Sequence, residues 1–252
     1  MSNKIALITG ASRGLGKDMA LNLAKDGVHI LFTYYKNKSK ANEIISEIES
    51  LGSKAKAFQY DASEPMSGKN LIENITTFLH ELQGNPNFDF LINNAGTGLY
   101  KSIEETSSTD FDDMVNIHLK SVYFLTQASL PYINDGGRIV NISSGLTRFS
   151  FPGSSAYAIM KGGVEVFTRY LAKELGSRNI TANVVAPGAI ATDFGGGSNR
   201  DNEEKRALIS NITALGRVGE PEDIGATVAF LCSHKAGWIN GQRLELSGGM
   251  LI

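Results

Sequence analysis

The chain is poor in the residue types that build disulfide, metal or nucleic-acid sites. Its only cysteine is Cys232, so no internal disulfide can form. The four histidines, His29, His80, His118 and His234, are scattered, without the close ligand spacing of a zinc site. Neither sign of charge is in excess: 24 Lys+Arg stand against 26 Asp+Glu, a formal net charge of −2. That balance gives no electrostatic reason to expect nucleic acid or an anionic membrane as a partner. No apolar run reaches the roughly 18 residues needed to span a bilayer. The apolar run Ile5-Ala6-Leu7-Ile8 ends in Thr9-Gly10 and is too short for a signal peptide, so the expected compartment is the cytoplasm. No Pro/Ser-rich linker or internal repeat divides the chain. What is present in excess is glycine, 27 of 252 residues, without period.

Short β-rich runs alternate with longer amphipathic segments. Strands are expected at 4–9, 28–34, 54–59, 88–92, 137–142, 180–185 and 243–246, most of them nearly continuous apolar runs, as in parallel strands buried on both faces. Helices are expected at about 14–26, 38–51, 64–83, 108–132, 154–176, 201–212 and 221–233. In the second, Ile44, Ile45, Ile48 and Leu51 make one apolar face. Alternation repeated this often implies an α/β chain with a doubly wound parallel sheet of about seven strands and helices on both faces. Residues 1–252 are expected to form one domain.

Between the first strand and first helix lies Thr9-Gly10-Ala11-Ser12-Arg13-Gly14-Leu15-Gly16. Glycines there permit a tight turn and bring backbone N–H groups and a helix N-terminus toward a pyrophosphate. The Gly-x-x-x-Gly-x-Gly spacing resembles that of the short-chain dehydrogenase/reductase family. Asn93-Asn94-Ala95-Gly96, Tyr157-Ala158-Ile159-Met160-Lys161 and Pro187-Gly188-Ala189-Ile190-Ala191-Thr192 are similar to further marks of that family, in the same order. The resemblance runs from Lys4 to about Gly249 and implies a Rossmann-like fold.

The segment after the second strand, Phe32-Thr33-Tyr34-Tyr35-Lys36-Asn37-Lys38, holds no acid that could accept from an adenosine ribose. Its lysines and Arg13 favour a 2′-phosphate, so NADP(H) is expected over NAD(H). The resemblance implies cofactor contacts at Gly10, Ser12, Arg13, Gly14, Leu15, Gly16, Tyr35, Lys36, Asp61, Ala62, Asn93, Ala95, Gly96, Tyr157, Lys161, Pro187, Gly188, Ile190 and Thr192. No metal is expected.

Tyr157 and Lys161 are four residues apart and share a helix face. Ser144 ends the fifth strand; its neighbour Ser143 points to the other face, so only one can serve. The resemblance implies a catalytic set of Ser144, Tyr157 and Lys161, with Asn116 in the preceding helix holding a proton relay to Lys161. The expected reaction is hydride transfer between NADP(H) and a ketone or secondary alcohol, Tyr157 exchanging the proton. A nearby Lys161 ammonium and a positive nicotinamide ring are expected to lower the Tyr157 phenol. Leu99, Tyr100, Leu146, Phe149, Phe151 and Phe194 are candidate substrate walls, with Arg148 the one nearby cation. Gly195–Gly197 suggests a flexible lid over about 190–215. Gly162 and Gly163 suit a close helix crossing between subunits, and the resemblance implies a homotetramer. Two alternatives stand beside a carbonyl reductase. One is a 3-oxoacyl-[acyl-carrier-protein] reductase, which needs a basic docking patch. The other is a non-catalytic nucleotide sensor, against which the Ser–Tyr–Lys set argues.

Overall fold

The computed structural model describes residues 4–64 and 67–252. Seven strands form one parallel sheet in the order β3-β2-β1-β4-β5-β6-β7. They are β1 Ile5–Ile8, β2 His29–Tyr34, β3 Ala55–Gln59, β4 Phe88–Asn93, β5 Ile133–Ile142, β6 Thr181–Pro187 and β7 Arg243–Leu246. Strand order reverses between β1 and β4, so the crevice beyond their carboxyl ends is where a ligand fits in such a sheet.

Helices cover both faces. One core joins Ala6, Ile8, Ile30, Phe32 and Ile92 to α1 (Gly14–Lys25), α2 (Lys38–Ser50) and α9 (Glu222–Cys232). The other joins Leu7, Leu31, Phe88, Leu91 and Ile139 to α3 (Ser67–Gln83), α5 (Ser121–Ser129) and α6 (Ser155–Glu174). Successive strand residues therefore feed opposite cores, which is why the strands read as unbroken apolar runs. This is the expected Rossmann-like, doubly wound α/β fold.

Two expected boundaries move. β5 starts at Ile133 rather than 137, and its pairing with β4 shifts between Phe88 and Phe90. At Gly137 the backbones run so close that a Cβ would lie 2.7 Å from the Asp89 carbonyl, so only glycine continues the strand. The single helix expected over 108–132 is three pieces. α4 (Ser108–Val115) opens on a Ser107/Asp110 capping box, a π-helical turn follows at Asn116–Lys120, and α5 completes the run. Residues 65–66 of the helix expected at 64–83 lie outside the described residues. After β6 the chain passes a 3₁₀ turn (Phe194–Gly197), α7 (Ser198–Asp201) and α8 (Glu203–Asn211).

Candidate active site

Ser144 follows the end of β5 and caps the 3₁₀ turn Gly145–Thr147. Its Oγ accepts from the Leu146 N–H at 3.2 Å, which leaves the hydroxyl proton free to donate. Its carbonyl accepts from Thr147 Oγ1 at 3.0 Å and from Arg243 Nη2 at 3.3 Å. Ser143 turns away and donates to Glu165 Oε1 at 2.7 Å. Glu165 also receives Arg243 Nε at 2.9 Å, so an ion pair between α6 and β7 braces the turn that carries Ser144.

Tyr157 and Lys161 lie one turn apart on α6, and Lys161 is almost fully buried at 4% exposure. Its ammonium donates to the Ile142 carbonyl at 2.7 Å and sits 5.6 Å from the centre of the Tyr157 ring. Burial pushes Lys161 down to about 8. The expectation that Lys161 lowers the Tyr157 phenol is not met here. Burial and then Tyr100 raise the phenol, and only the Ser144 hydroxyl pulls it down. A neutral phenol has a proton to donate.

Asn116, expected to hold a relay to Lys161 through a water or a backbone group, opens the π-helical turn Asn116–Lys120. Among the described residues no hydrogen bond or ring contact joins Asn116 to Lys161 or Tyr157. The residue packed there is His118, in the same π-helical turn and fully buried. Its ring meets Tyr157 edge-on, centroids 5.0 Å apart at 87°, and its Nε2 lies 2.8 Å from the Thr97 carbonyl. Burial first, then the Lys161 charge, holds His118 down to about 3. A signal was present in the sequence: His118, Val122, Leu125 and Ser129 recur at helical spacing on the buried stripe, whereas Asn116 lies off it.

The glycine turn has the geometry of an anion cradle. Gly10 and Gly14 adopt φ +68 and +53, and a Cβ on Gly16 would lie 2.4 Å from the Gly10 carbonyl. Arg13 precedes α1 without a side-chain cap, so the N–H groups of the first helical turn face outward for a phosphate. Thr33 Oγ1 accepts from Gly10 N–H at 2.9 Å. Thr9 Oγ1 accepts from the N–H groups of Asn94 and Ala95, each at 2.9 Å. Asn94 Nδ2 donates to the Thr9 carbonyl at 2.9 Å. Thr9, Thr33 and Asn94 were not singled out from the sequence. Asn93, which was, directs its amide inward to Thr126 Oγ1 and Asn141 Oδ1 at 3.0 and 2.8 Å, so its side chain braces the sheet rather than facing the crevice. Ala95 closes on Gly10, and Gly96 leaves room for the His118 ring.

Other predicted cofactor residues gather around this turn. Thr192 stands over Gly14, a Cβ there being 3.6 Å from Thr192 Cβ. Ile190 is buried in the core, and Gly188 follows Pro187 where the chain crowds Ser247. Leu15 packs on the core beside Ser12 and Arg13, while Ala62 packs on the opposite core. Half-exposed Tyr35 carries Lys36 Nζ 4.6 Å from its ring centre, with no acid in the segment. Asp61 accepts from the Ser63 hydroxyl and N–H at 2.6 and 2.9 Å. The residues present therefore fit a dinucleotide carrying an additional phosphate.

Phe194 lies 5.9 Å from Tyr157 between ring centres, and Gly195 packs so tightly on Tyr100 that a Cβ would come within 2.5 Å of its hydroxyl. Arg148 is not a free cation: it holds Glu245 and the Met250 and Leu251 carbonyls. Gly163 faces Leu119 of the same chain, a Cβ being 3.0 Å from Leu119 Cδ1, so its close crossing is internal.

The buried lysine has a measurable signature. Below about pH 8 it is protonated in both folded and unfolded chains. Between there and its ordinary 10.5, only the unfolded chain holds the proton, so stability rises with pH. Lys161→Met removes this rise. The variant's unfolding free energy relative to wild type is expected to fall by about 2 kcal/mol from about pH 7 to about pH 9.5, read from urea midpoints. A pH-independent difference contradicts the buried ammonium.

Comparison with known proteins agrees with this geometry. A family profile described as enoyl-(acyl carrier protein) reductase matches residues 10–251. The hydroxynaphthalene reductase-like protein Arp2 of Metarhizium brunneum (strain ARSEF 3297) is 36% identical over 261 residues, covering 99% of this chain and 95% of that relative. The landomycin C-6 ketoreductase LanV, solved with bound NADP and rabelomycin, superposes with a TM-score of 0.91 at 36% identity, over 99% of this chain and 97% of LanV. The promiscuous reductase LugOII, which catalyses keto-reduction at C1 during lugdunomycin biosynthesis, reaches 0.94 at 34% identity, over 100% of this chain and 99% of its own. With its glycine turn, its Ser144, Tyr157 and Lys161 at one sheet edge, and relatives matched over nearly their whole length, the chain belongs to the short-chain dehydrogenase/reductase family.

Proposed function

We propose that this protein is an NADPH-dependent ketoreductase that reduces a ketone to a secondary alcohol. The observation that carries this is the meeting of Ser144, Tyr157 and Lys161 beside the glycine turn, at the carboxyl edge of the sheet. The ketone, rather than the double bond that the family description names, is favoured by relatives whose names state keto-reduction. NADPH is favoured by Arg13, Lys36 and the missing acid after β2, and by the NADP bound to LanV.

Backbone N–H groups at the start of α1 hold the pyrophosphate, with Thr192 closing from the opposite side. Arg13 and Lys36 take the extra phosphate. When bound, the reduced nicotinamide supplies a hydride to the carbonyl carbon. Ser144 donates its free hydroxyl proton as a hydrogen bond to the carbonyl oxygen and fixes it beside Tyr157. Tyr157, neutral because it is buried, transfers its proton to that oxygen as negative charge develops there. Lys161, with one N–H spent on Ile142, keeps a positive charge next to the phenolate left behind and so favours its formation. Phe194 and Tyr100 wall the pocket, which suits an apolar or aromatic ketone.

The carrier-protein alternative needs free cations around the pocket. Four cations of this region are instead held within the chain: Arg148 on Glu245, Arg200 on Asp193 and Asp201, Arg217 on Asp223, and Lys101 on Asp110, while Lys205 sits over the Tyr100 ring and donates to Ser198. We further propose that residues 1–252 act as one cytoplasmic domain, with a lid over about 190–215. A homotetramer is in keeping with the exposed apolar side chains Tyr123 and Phe124 on α5 and Val166 and Tyr170 on α6.

Tyr157→Phe is expected to lower kcat by about 10²- to 10⁴-fold while NADPH affinity, followed by fluorescence, stays unchanged. Retained turnover would remove Tyr157 from the proton step. Arg13→Ala is expected to raise the KM for NADPH by about 10- to 100-fold and leave the KM for NADH nearly unaltered. Equal losses for both cofactors rule out a phosphate contact at Arg13.

A further inference from the structure

His118 is an ionisable group at the centre of this site to which the ketoreductase reading gives no task. It is 0% exposed, and Nδ1 has no protein partner among the described residues. A buried nitrogen left in this state costs about 1–3 kcal/mol, so such groups call for an explanation. The other ring nitrogen is accounted for. Nε2 lies 2.8 Å from the Thr97 carbonyl and 3.4 Å from the Thr97 N–H; the shorter contact favours a proton on Nε2, which leaves Nδ1 as a bare acceptor.

The fold makes room for this ring in two ways. A π-helical turn is inserted where α4 meets α5, placing His118 against Tyr157. Gly96 supplies the space opposite, where a Cβ would come 2.6 Å from His118 Cε1. Tyr157, which the imidazole meets, packs in turn on the apolar cluster of Met114, Ala156 and Met160. Among the described residues no carboxylate acts on the imidazole. Lys161 is the cation acting on the imidazole, and Tyr157 is the other titratable group against it.

We propose that His118 is a positioning residue for Lys161: its Nδ1 accepts a hydrogen bond from a water molecule to which the Lys161 ammonium donates. Lys161 has three N–H donors and spends one on Ile142, so a donor is available. The bridge needs a neutral imidazole. An imidazolium has no acceptor and would repel the ammonium. Burial and the Lys161 charge both favour the neutral ring. His118 thereby stabilises Lys161 in its protonated form, and through Lys161 the phenolate that Tyr157 becomes in each turnover.

The inference rests on the ketoreductase reading, but its first test needs no substrate. In ¹⁵N-histidine-labelled protein, long-range ¹H–¹⁵N spectra are expected to show His118 as the Nε2–H tautomer with a hydrogen-bonded Nδ1, unchanged between about pH 5 and pH 8. An Nδ1–H tautomer, or protonation within that range, overturns the proposal. Two variants then separate acceptor from ring. His118→Phe keeps a ring against Tyr157 but cannot accept a hydrogen bond; His118→Asn keeps an acceptor and loses the ring. The Phe variant is expected to lose about 10²-fold in kcat, with KM values nearly unchanged. It should also lose activity at a pH about one unit lower on the alkaline side, because the ammonium has lost an acceptor. The Asn variant should recover most of both. A Phe variant with wild-type kcat and pH profile, or an Asn variant no better than Phe, overturns the proposal. If no ketone is reduced by the wild type, the ketoreductase reading falls and the tautomer measurement still decides the hydrogen bond.

Discussion

A single ammonium, buried against a backbone carbonyl with no ion-pair partner among the described residues, is the constraint around which this site is arranged. Lys161 reaches the Ile142 carbonyl at the end of β5 and is cut off from water by the helices above. A charge in that position is unfavourable in isolation, and burial lowers its affinity for a proton accordingly. The same feature is useful. A cation that lacks a permanent counter-ion stabilises negative charge wherever it next appears nearby, and the nearest group able to acquire it is the Tyr157 phenol. Under the proposed mechanism, the fold carries a local penalty at rest that is relieved as the phenolate forms.

Everything around the pair keeps that arrangement fixed. Parallel strands deliver Ile142 and Ser144 to one edge, and α6 delivers Tyr157 and Lys161 from above. The Glu165–Arg243 pair ties α6 to β7 and holds the carbonyl of Ser144 in place. On the other side of the crevice, Asn94 and Thr9 lock the glycine turn to the end of β4, so the cofactor cradle and the reactive side chains share one rigid sheet edge.

How much of this was legible in the sequence depends on how local each signal is. The strands were readable because most are short apolar runs feeding two cores, and the parallel, doubly wound sheet followed from repeated alternation with helices; the order of the strands came only with the structure. Ser144, Tyr157 and Lys161 were readable because their order and spacing resemble the family's Ser–Tyr–Lys set; four-residue spacing adds that Tyr157 and Lys161 share a helix face, and strand alternation that Ser143 and Ser144 cannot both serve. His118 was passed over because its place on the buried stripe is a weak signal, and a π-helical turn alters the register there. Asn93 and Asn94 pose a related problem at a strand end: a tetrapeptide does not say which of two adjacent amides turns inward. The shift expected for Tyr157 was argued from Lys161 and a positive nicotinamide ring together; in the chain alone, burial outweighs both the Ser144 hydroxyl and the nearby ammonium. The surroundings bury the phenol and direct the ammonium to Ile142.

The account's central claim is that this edge reduces ketones with NADPH. It is tested most directly by incubating the protein with a panel of apolar and aromatic ketones and β-ketoacyl thioesters, with NADPH and NADH in parallel, and following the absorbance of the reduced nicotinamide. The account predicts ketone-dependent loss of NADPH absorbance, much weaker loss with NADH, and no preference for the thioesters. Oxidation of NADH in preference to NADPH, or turnover confined to the thioesters, would contradict it.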